Sequence, residues 1–293
     1  MTIADFLSEQ GFQITTIEVI GSSCFAETYR VVCGVEIYFV KSSADFPNRI
    51  RAEKRGLDLL RSVISSAVLK EVAFFDAPVH GAVLVTPFIQ ESFWTRQRAT
   101  LFGESLAKLH GYASNTYGLH HDNFIGSSQQ CNTPPQESWA RFFYSNRIEP
   151  QILLGIEKGW LSPSMRECLA ALREPITVAL SQVEELPSLC HGDLWSGNVL
   201  VSEDEHVYFI DPAVSYSHRE TDIAFMHLFG GFPSEVFEAY ERISPLSPTA
   251  KYRFPVYNLY HLMNHANMLG GVYCAQVSEL IHQIIPASLK QLL

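Results

Sequence analysis

Residues 189–200 read Leu-Cys-His-Gly-Asp-Leu-Trp-Ser-Gly-Asn-Val-Leu, and Ile-Asp-Pro follows at residues 210–212. Between Asn198 and Asp211 lie two short runs rich in β-branched and aromatic residues, separated by four polar residues. This pattern predicts a hairpin with strands at 199–201 and 206–210. Because the two ends of a hairpin are adjacent, we expect Asn198 and Asp211 to lie side by side.

This arrangement predicts phosphoryl-transfer chemistry. An amide oxygen and a carboxylate, here Asn198 and Asp211, suit a Mg²⁺ ion that also binds nucleotide phosphates. Asp193 lies in the preceding loop and is placed to accept the proton of an attacking hydroxyl. The order His-x-Asp-Leu-x-x-x-Asn, followed by a second Asp, matches the catalytic loop of protein kinases, with Asp-Pro where those enzymes carry Asp-Phe-Gly.

Two other interpretations of the same residues are open. A polar turn followed by an ordinary hairpin would explain an isolated His-Gly-Asp, although it leaves the complete four-part pattern unexplained. A zinc site using His191 and Asp193 lacks a third ligand at a recognisable spacing.

The stretch resembles the fructosamine kinase family, also called ketosamine 3-kinases, which is related to the aminoglycoside phosphotransferases. The likeness covers nearly the whole chain and includes residues 219–222, 228–233 and 257–265. It implies an α+β, two-lobed, protein-kinase-like fold, with a small antiparallel β N-lobe containing one helix and a larger, mainly helical C-lobe. It also implies that ATP and Mg²⁺ are used to phosphorylate the 3-hydroxyl of a fructosamine or ribulosamine, in protein deglycation, and that His191 braces the catalytic loop.

Bulk composition restricts the class of protein. With 293 residues, 47% of them hydrophobic, the chain can bury a large core in one domain or two lobes. No signal-like or membrane-spanning run is visible, which predicts a cytoplasmic protein. A net charge of −10 argues against nucleic acid or an anionic membrane as partner. The six scattered cysteines are expected to be reduced thiols.

The first strands are predicted to hold nucleotide phosphates. A short helical pattern and a strand at 14–20 lead into a small-residue turn, in which Ser22 and Ser23 are placed to present backbone N–H groups to phosphates. Cys24 lies in the same turn. The resembling family has Cys or Ser there, so Cys24 is either a redox switch or a passive loop residue.

A buried ion pair is predicted next to this turn. The strand at 35–41 ends at Lys41, and the helix predicted at 47–61 places Glu53 on the same stripe as its apolar residues. A carboxylate that faces inward needs a cation, and Lys41 is the natural partner. Such a pair orients the nucleotide phosphates in kinases.

The lobe boundary is predicted at residue 88, which gives an N-lobe of residues 1–88 and a C-lobe of residues 89–293. Strands at 67–75 and 82–88 are expected to complete the N-terminal sheet. The connector after them would bind adenine through backbone groups. Since Pro87 has no N–H, Phe88 or Ile89 must donate.

In the C-terminal part, helical spacing predicts that Leu101, Ser105 and Leu109 lie on one face of a helix. The polar loop at 117–126 contains His120, His121 and Asp122; we expect it to line the acceptor side, with Asp122 contacting substrate, rather than to bind metal.

Three further side chains have predicted roles in this part. Asp222 is expected to accept N–H groups of the catalytic loop at a helix start. His261 and His265 are expected to be packed rather than to bind metal.

The acceptor itself is left open by the residues. Trp195 is placed to pack its ring against a sugar, the alternative being a core tryptophan. An aminoglycoside, a choline-like amine or a plain sugar is a rival acceptor, although Trp195-Ser196 stands where aminoglycoside enzymes usually resemble His-Pro. A second rival is a non-catalytic binding protein of kinase shape.

Overall fold

The computed structural model describes residues 1–23, 25–183 and 185–283. Its N-terminal part is a five-stranded antiparallel sheet in the order β1-β2-β3-β5-β4. The strands are β1 Thr16–Ser22, β2 Glu27–Cys33, β3 Glu36–Ser43, β4 Ala73–Ala77 and β5 Gly81–Pro87. Helix α1 (Ile3–Glu9) precedes the sheet, and helix α2 (Pro47–Ile64) lies between β3 and β4. The prediction of a small antiparallel β N-terminal region is confirmed, although it holds two helices rather than one.

The sheet is covered on both faces because its side chains alternate. Along β5, Val83 and Val85 belong to the core formed with α1, whereas Ala82 and Leu84 belong to the core formed with α2. The period of two in a strand therefore sends alternate residues to different helices. Helix α2 is held against the sheet by this second core and so keeps a fixed position beside β3.

One predicted strand begins too early. Residues 67–75 were expected to be extended, but β4 begins at Ala73, and Ser65–Ala67 form a 3₁₀ turn. Val68 and Leu69 are nevertheless buried. An apolar run indicates that its residues are buried, but it does not show whether they form a strand or a loop. Here the buried residues belong to a loop.

The C-terminal part is mainly helical, with three small two-stranded sheets. Its helices are α3 Arg96–His110, α4 Trp139–Phe143, α5 Glu149–Glu157, α6 Pro163–Ala171, α7 Arg173–Ser181, α8 Glu220–Phe229, α9 Ser234–Ile243, α10 Ala250–Leu269 and α11 Val272–Gln283. Its strands are β6 Asn123–Ile125, β7 Ser128–Gln130, β8 Ser188–Cys190, β9 Val199–Val201, β10 Val207–Phe209 and β11 Ser215–Ser217. The predicted hairpin is confirmed as β9 paired with β10.

The predicted face of α3 is only partly buried. Leu109 is fully buried, but Leu101 is 43% exposed, and Phe102 and Leu106 are buried instead. Close packing of α3 against α9 depends on Gly103, where a Cβ would lie 2.2 Å from the Val236 carbonyl oxygen.

Strand β5 ends at Pro87 and α3 begins at Arg96, so a short connector passes between the two parts. The division at residue 88 remains a prediction. None of the helices in the described ranges combines the length and apolar character that crossing a membrane requires.

Candidate active site

The loop that follows β8 has a backbone path that requires glycine at residue 192. Gly192 has φ +82°, and a Cβ at this position would lie 2.0 Å from the carbonyl oxygen of Ala213. The only side chain that permits both the left-handed conformation and this close approach is the hydrogen of glycine. The loop is thereby pressed against the segment that leads into β11.

Asp222, in the first turn of α8, holds the loop through hydrogen bonds to its backbone. Its carboxylate accepts hydrogen bonds from the backbone N–H groups of His191 at 2.7 Å and Gly192 at 2.9 Å. It also accepts one from His110 Nε2 at 3.1 Å. Burial alone would raise the pKa of Asp222, but the His110 bond and the charges around it hold that pKa below its usual value. The predicted role of Asp222 is thus supported by two direct bonds to the loop.

His191 connects the loop to the end of the hairpin. It is fully buried, its Nε2 donates to the Ile210 carbonyl at 2.9 Å, and its Nδ1 accepts from Asp193 N–H at 3.3 Å. Burial lowers the pKa of His191, so the neutral ring needed for these two bonds is favoured. His191 therefore links the backbone of the loop at Asp193 to the backbone at the end of the hairpin, Ile210.

Asp193 and Asn198 are bonded to each other. The Asn198 amide Nδ2 donates to the Asp193 carbonyl oxygen at 2.8 Å and to Asp193 Oδ2 at 3.0 Å. Burial, reinforced by the charges of Asp211 and Asp222, raises the pKa of Asp193 to about 7 against the opposing Asn198 bond. A carboxyl group with a pKa close to neutrality is well matched to proton transfer.

Lys41 joins the two parts of the protein. Its Nζ lies 2.7 Å from Glu53 Oε2 and 2.8 Å from Asp211 Oδ1. The predicted contact between Lys41 and Glu53 is confirmed, and the second contact, to Asp211, was not foreseen.

The pKa values in this ion-pair cluster follow from burial and charge. Burial opposes the charged form of Lys41, but the two carboxylates outweigh it and raise its pKa. Burial and the neighbouring Asp211 raise the pKa of Glu53. Lys41 overcomes the effect of burial on Asp211 and lowers its pKa.

The backbone of Asp211 is in an uncommon conformation. Its φ is +51°, in the left-handed region that Asp tolerates better than most residues. Its side chain is 46% exposed, in contrast with 8% for Lys41. The strained turn at the end of β10 therefore presents this carboxylate to the open cleft, as is common at functional positions.

Of the predicted catalytic and metal residues, Asp193, Asn198 and Asp211 line one cleft of about 240 Å³, whereas His191 is fully buried and does not line it. It is lined by Phe25, Lys41, Arg49, Ala52, Glu53, Phe124, Ile125, Gly126, Asp193, Trp195, Asn198, Asp211, Pro212, Asn264, His265 and Met268. Asp193, Asn198 and Asp211 thus face the same space as Lys41. The remaining wall of the cleft includes Trp195 and three residues of α10, Asn264, His265 and Met268.

A second cavity, of about 320 Å³ and mostly apolar, adjoins this cleft. It contains the three predicted connector residues, Pro87, Phe88 and Ile89, and it shares Glu53 and Asp211 with the cleft. Phe88 N–H donates to the Ile37 carbonyl at 2.9 Å. Of the two donors that the sequence left open, only Ile89 N–H therefore has no partner within the described ranges.

The small-residue turn lies beside a third cavity, of about 340 Å³, whose lining includes Ser22 and Ser23. Ser23 N–H donates to the Ala26 carbonyl at 2.9 Å, and Ser23 Oγ accepts from Ala26 N–H at 3.1 Å. Ser23 thus shapes the turn. Cys24, the predicted redox candidate, lies outside the described residues.

Trp195 is a surface residue of the cleft. It is 40% exposed, and its ring meets Phe229 edge-on with 6.3 Å between ring centroids. The alternative interpretation as a core tryptophan is wrong, because a core ring would not leave this much surface in contact with water.

Asp122 is placed differently from the prediction. It is not among the residues that line the cleft. Its Oδ1 accepts bonds from Asn132 N–H at 2.7 Å, and from Thr133 N–H and Oγ1 at 3.0 Å each. These bonds lower the pKa of Asp122 against the effect of partial burial. The carboxylate shapes its own loop, and Phe124, Ile125 and Gly126 are the residues of that loop that reach the cleft.

The paired histidines of α10 are packed, as predicted. His261 is buried and stacks on Phe225 with 3.7 Å between ring centroids, and burial lowers its pKa to about 3. His265 Nδ1 bonds to the His261 carbonyl at 2.8 Å. A lining role of His265 in the cleft was not predicted.

Arg49 is a further cleft residue that the sequence did not reveal. Its guanidinium lies over the rings of Phe25 at 5.1 Å and Phe124 at 5.4 Å, and its Nη2 donates to the Ser127 carbonyl at 2.6 Å. These partners come from distant segments, so no local pattern around residue 49 indicates the contact.

Comparison with known proteins agrees with this geometry. The family profile described as fructosamine kinase matches residues 2–287. A probable ketoamine kinase of Enterococcus faecium is 33% identical over 282 residues, covering 96% of this chain and 99% of that protein. The solved structure of a candidate fructosamine-3-kinase from Thermobifida fusca superposes with a TM-score of 0.84 at 29% identity, covering 98% of this chain and 99% of that one.

A more distant likeness concerns the fold alone. The aminoglycoside phosphotransferase APH(4)-Ia, solved with AMP-PNP and hygromycin B, superposes with a TM-score of 0.68 at 11% identity, covering 98% of this chain and all of that one (100%). The two-part architecture is therefore that of protein-kinase-like phosphotransferases. Since the family profile spans nearly the whole sequence and the Enterococcus faecium relative covers 96% of this chain, the chain belongs to the fructosamine kinase family.

Proposed function

We propose that this protein is an ATP- and Mg²⁺-dependent kinase that phosphorylates a hydroxyl group of a ketosamine, with the 3-hydroxyl of a fructosamine or ribulosamine as the acceptor and protein deglycation as the role. The observation that carries the proposal is that Asp193, Asn198, Asp211 and Lys41 line one cleft, next to an apolar cavity of nucleotide size. The names of the relatives supply the acceptor class.

Asp193 is assigned as the general base. Its carboxylate faces the cleft, and two bonds from the Asn198 amide fix its orientation. With a pKa of about 7, it is ionised in a large part of the molecules at neutral pH and still basic enough to accept the hydroxyl proton. Since phosphoryl transfer depends mostly on positioning, a fixed base contributes by aligning the acceptor oxygen.

The donor set of the cleft fits Mg²⁺. Asp211 offers an exposed carboxylate, and Asn198 keeps its amide oxygen available because its bonds to Asp193 use the nitrogen. Burial and neighbouring carboxylates raise the pKa of Asp193, which indicates a shortage of positive charge in the cleft. Bound Mg²⁺ would neutralise charge on the nucleotide phosphates. Lys41, held by Glu53, would contact the same phosphates from the other side.

The adenine is assigned to the apolar cavity. Ile89 N–H is the donor left by the connector, since Pro87 has none and Phe88 N–H is bonded to Ile37. The acceptor sugar is assigned to the other end of the cleft, where the exposed ring of Trp195 is available to pack against its apolar face.

The test is a measurement of ADP release with Mg²⁺-ATP and one acceptor at a time: fructosyl-lysine, ribulosyl-lysine, an aminoglycoside, choline, fructose and ribose. We expect turnover with the two ketosamines and little with the others. NMR of the product then identifies the phosphorylated hydroxyl. Turnover of an aminoglycoside or choline without turnover of ketosamines would refute the assignment, and the absence of turnover with every acceptor would favour a non-catalytic binding protein.

A further inference from the structure

The indole ring of Trp195 lies against the backbone of Gly197, two residues further along the catalytic loop. A Cβ added to Gly197 would lie 2.3 Å from Trp195 Cη2 and 2.6 Å from each of Cζ2 and Cζ3. All three atoms belong to the six-membered ring. Real Cβ atoms do not approach other heavy atoms within 3.0 Å. A side chain at residue 197 and the ring in its present place therefore exclude each other.

The ring meets Gly197 with its face and not with its edge. The three distances are nearly equal, whereas an approach along the plane of the ring would bring one atom much closer than its two neighbours. The six-membered ring thus lies over the Cα of Gly197, on the side where any other residue carries its side chain. Phe229 contacts the same indole, with an angle of 67° between the ring planes. A glycine backbone and a second ring together set the orientation of the indole.

The backbone beneath the ring is held in place by its own contacts. Trp195 N–H donates to the Asp193 carbonyl at 3.2 Å, and Asn198 N–H donates to the Trp195 carbonyl at 2.9 Å. Ser196 packs against Gly231, where an added Cβ would lie 2.6 Å from Ser196 Oγ. Because the turn is fixed by these bonds and by this close contact, it has little freedom to move away from an added methyl group.

The ring, in contrast, is free to move. Trp195 is an exposed residue, and the three atoms close to Gly197 are at the far end of its side chain. Rotation about the side-chain bonds would carry them away from an added methyl group at little cost in stability. Gly192 differs, because its missing Cβ would meet a backbone oxygen, that of Ala213, at 2.0 Å. We therefore expect a side chain at residue 197 to displace the ring and to leave the fold intact.

Gly197 borders a different cavity from the one that Trp195 lines. Gly197 is part of the wall of the apolar cavity assigned to adenine, whereas Trp195 is part of the wall of the cleft assigned to the acceptor. The three heavy atoms nearest to the missing Cβ of Gly197 nevertheless all belong to Trp195. An added methyl group would thus press on the acceptor side of the catalytic loop, not on the nucleotide.

We propose that Gly197 is a positioning residue that determines acceptor affinity, because its missing side chain lets the Trp195 ring lie at the angle at which it packs against the acceptor sugar. The proposal rests on the acceptor role assigned to Trp195 in the proposed function. Contact between a sugar and an aromatic face depends on the orientation of the ring. A displaced ring loses this contact although the indole is still present. The base, the metal ligands and the adenine cavity are unaffected.

The kinetic test is a double-mutant cycle with fructosyl-lysine and Mg²⁺-ATP. Gly197→Ala should raise KM for fructosyl-lysine about tenfold, as Trp195→Ala does, while kcat and KM for ATP change less than about twofold. In the Trp195→Ala background, Gly197→Ala should have no further effect, because the ring that it displaces has been removed. A second rise of about tenfold in the double variant would show that residue 197 acts independently of the ring, and would overturn the proposal.

Fluorine NMR measures the position of the ring without any acceptor. The chain has four tryptophans, and labelling with 4-fluorotryptophan places the fluorine on none of the three atoms close to Gly197. The signal that is missing from Trp195→Phe belongs to residue 195, and Gly197→Ala should shift this signal.

Gly111→Ala is the matched control, because a Cβ there makes only ordinary contacts, at 3.4 Å and beyond. It should keep both the Trp195 signal and the wild-type KM. An unmoved Trp195 signal in Gly197→Ala would overturn the positioning role alone. A shifted signal together with an unchanged KM in both Gly197→Ala and Trp195→Ala would instead overturn the acceptor role of Trp195, on which the proposal depends.

Discussion

The Asn198 side-chain amide donates to both the carbonyl oxygen and the carboxylate of Asp193, at 2.8 and 3.0 Å. One side chain thereby fixes the backbone and the functional group of the proposed base. The same two bonds leave the amide oxygen of Asn198 free to face the space in front of Asp211.

Replacing the proposed base should separate chemistry from binding. Asp193→Asn keeps an oxygen that can accept from Asn198 but cannot take the hydroxyl proton. We expect kcat to fall by about 10²-fold or more while ATP affinity changes little, measured by steady-state kinetics and calorimetric titration. If this variant turns over as fast as the wild type, Asp193 is not the general base.

The pH profile should report the same carboxyl group. Its pKa is raised to about 7, and the ionised form is the active base. Thus kcat/KM should decline as pH falls through about 7, rather than through the range near 4 that is usual for Asp. Stopped assays from pH 5 to pH 9 would show this. A profile that stays flat down to pH 5 would contradict the assignment.

The same shift predicts a gain in stability for Asp193→Asn. In the folded protein Asp193 keeps its proton up to about pH 7, whereas the unfolded chain releases it near 3.8. Stability is therefore lost as pH rises from about 4 to 7. The variant has no such loss, so its Tm advantage should be small at pH 4.5 and several degrees larger at pH 8, without Mg²⁺. An advantage independent of pH would point to another cause.

Removing Asp211 should affect nucleotide binding first. Asp211→Ala takes away the exposed metal ligand and one of the two partners of Lys41. We expect ATP affinity to become insensitive to added Mg²⁺, in calorimetric titrations with and without the metal. Asp204→Ala, on the exposed hairpin loop, serves as the control and should retain the wild-type response. If Asp211→Ala retains that response as well, Asp211 does not hold the metal.

Trp195→Ala should weaken the binding of the acceptor. The exposed ring contributes to the cleft, not to the core, so we expect KM for the ketosamine to rise about tenfold with a change in Tm of about 2 °C or less. Trp94→Ala is the contrasting variant, since that ring packs on Phe102 at 5.7 Å and its loss should lower Tm without raising KM. A large loss of Tm in Trp195→Ala with an unchanged KM would show that Trp195 has a structural role instead.

Sequence reasoning succeeded where the decisive contacts are local or where one physical requirement admits few solutions. The hairpin that joins Asn198 to Asp211 follows from turn chemistry and strand alternation. The contact between Lys41 and Glu53 follows from the cost of an unpaired inward carboxylate. Both are present as predicted.

Sequence reasoning failed where the position of a side chain depends on bonds between distant segments. Asp122 sits among polar residues that suggest a ligand, but its carboxylate is occupied by backbone groups about ten residues further along the chain. The second contact of Lys41, to Asp211, spans 170 residues.

The bonds from Asp222 to the backbone of residues 191 and 192 mean that the catalytic loop takes its shape from α8 and, through His110, from α3. A transplant of residues 189–200 and 210–212 into an unrelated scaffold would carry the recognisable motif. It would not carry the Asp222 carboxylate that accepts the backbone N–H groups of the loop. The smallest portable unit of this chemistry is therefore the loop, its hairpin and the first turn of α8, together with a histidine placed behind them.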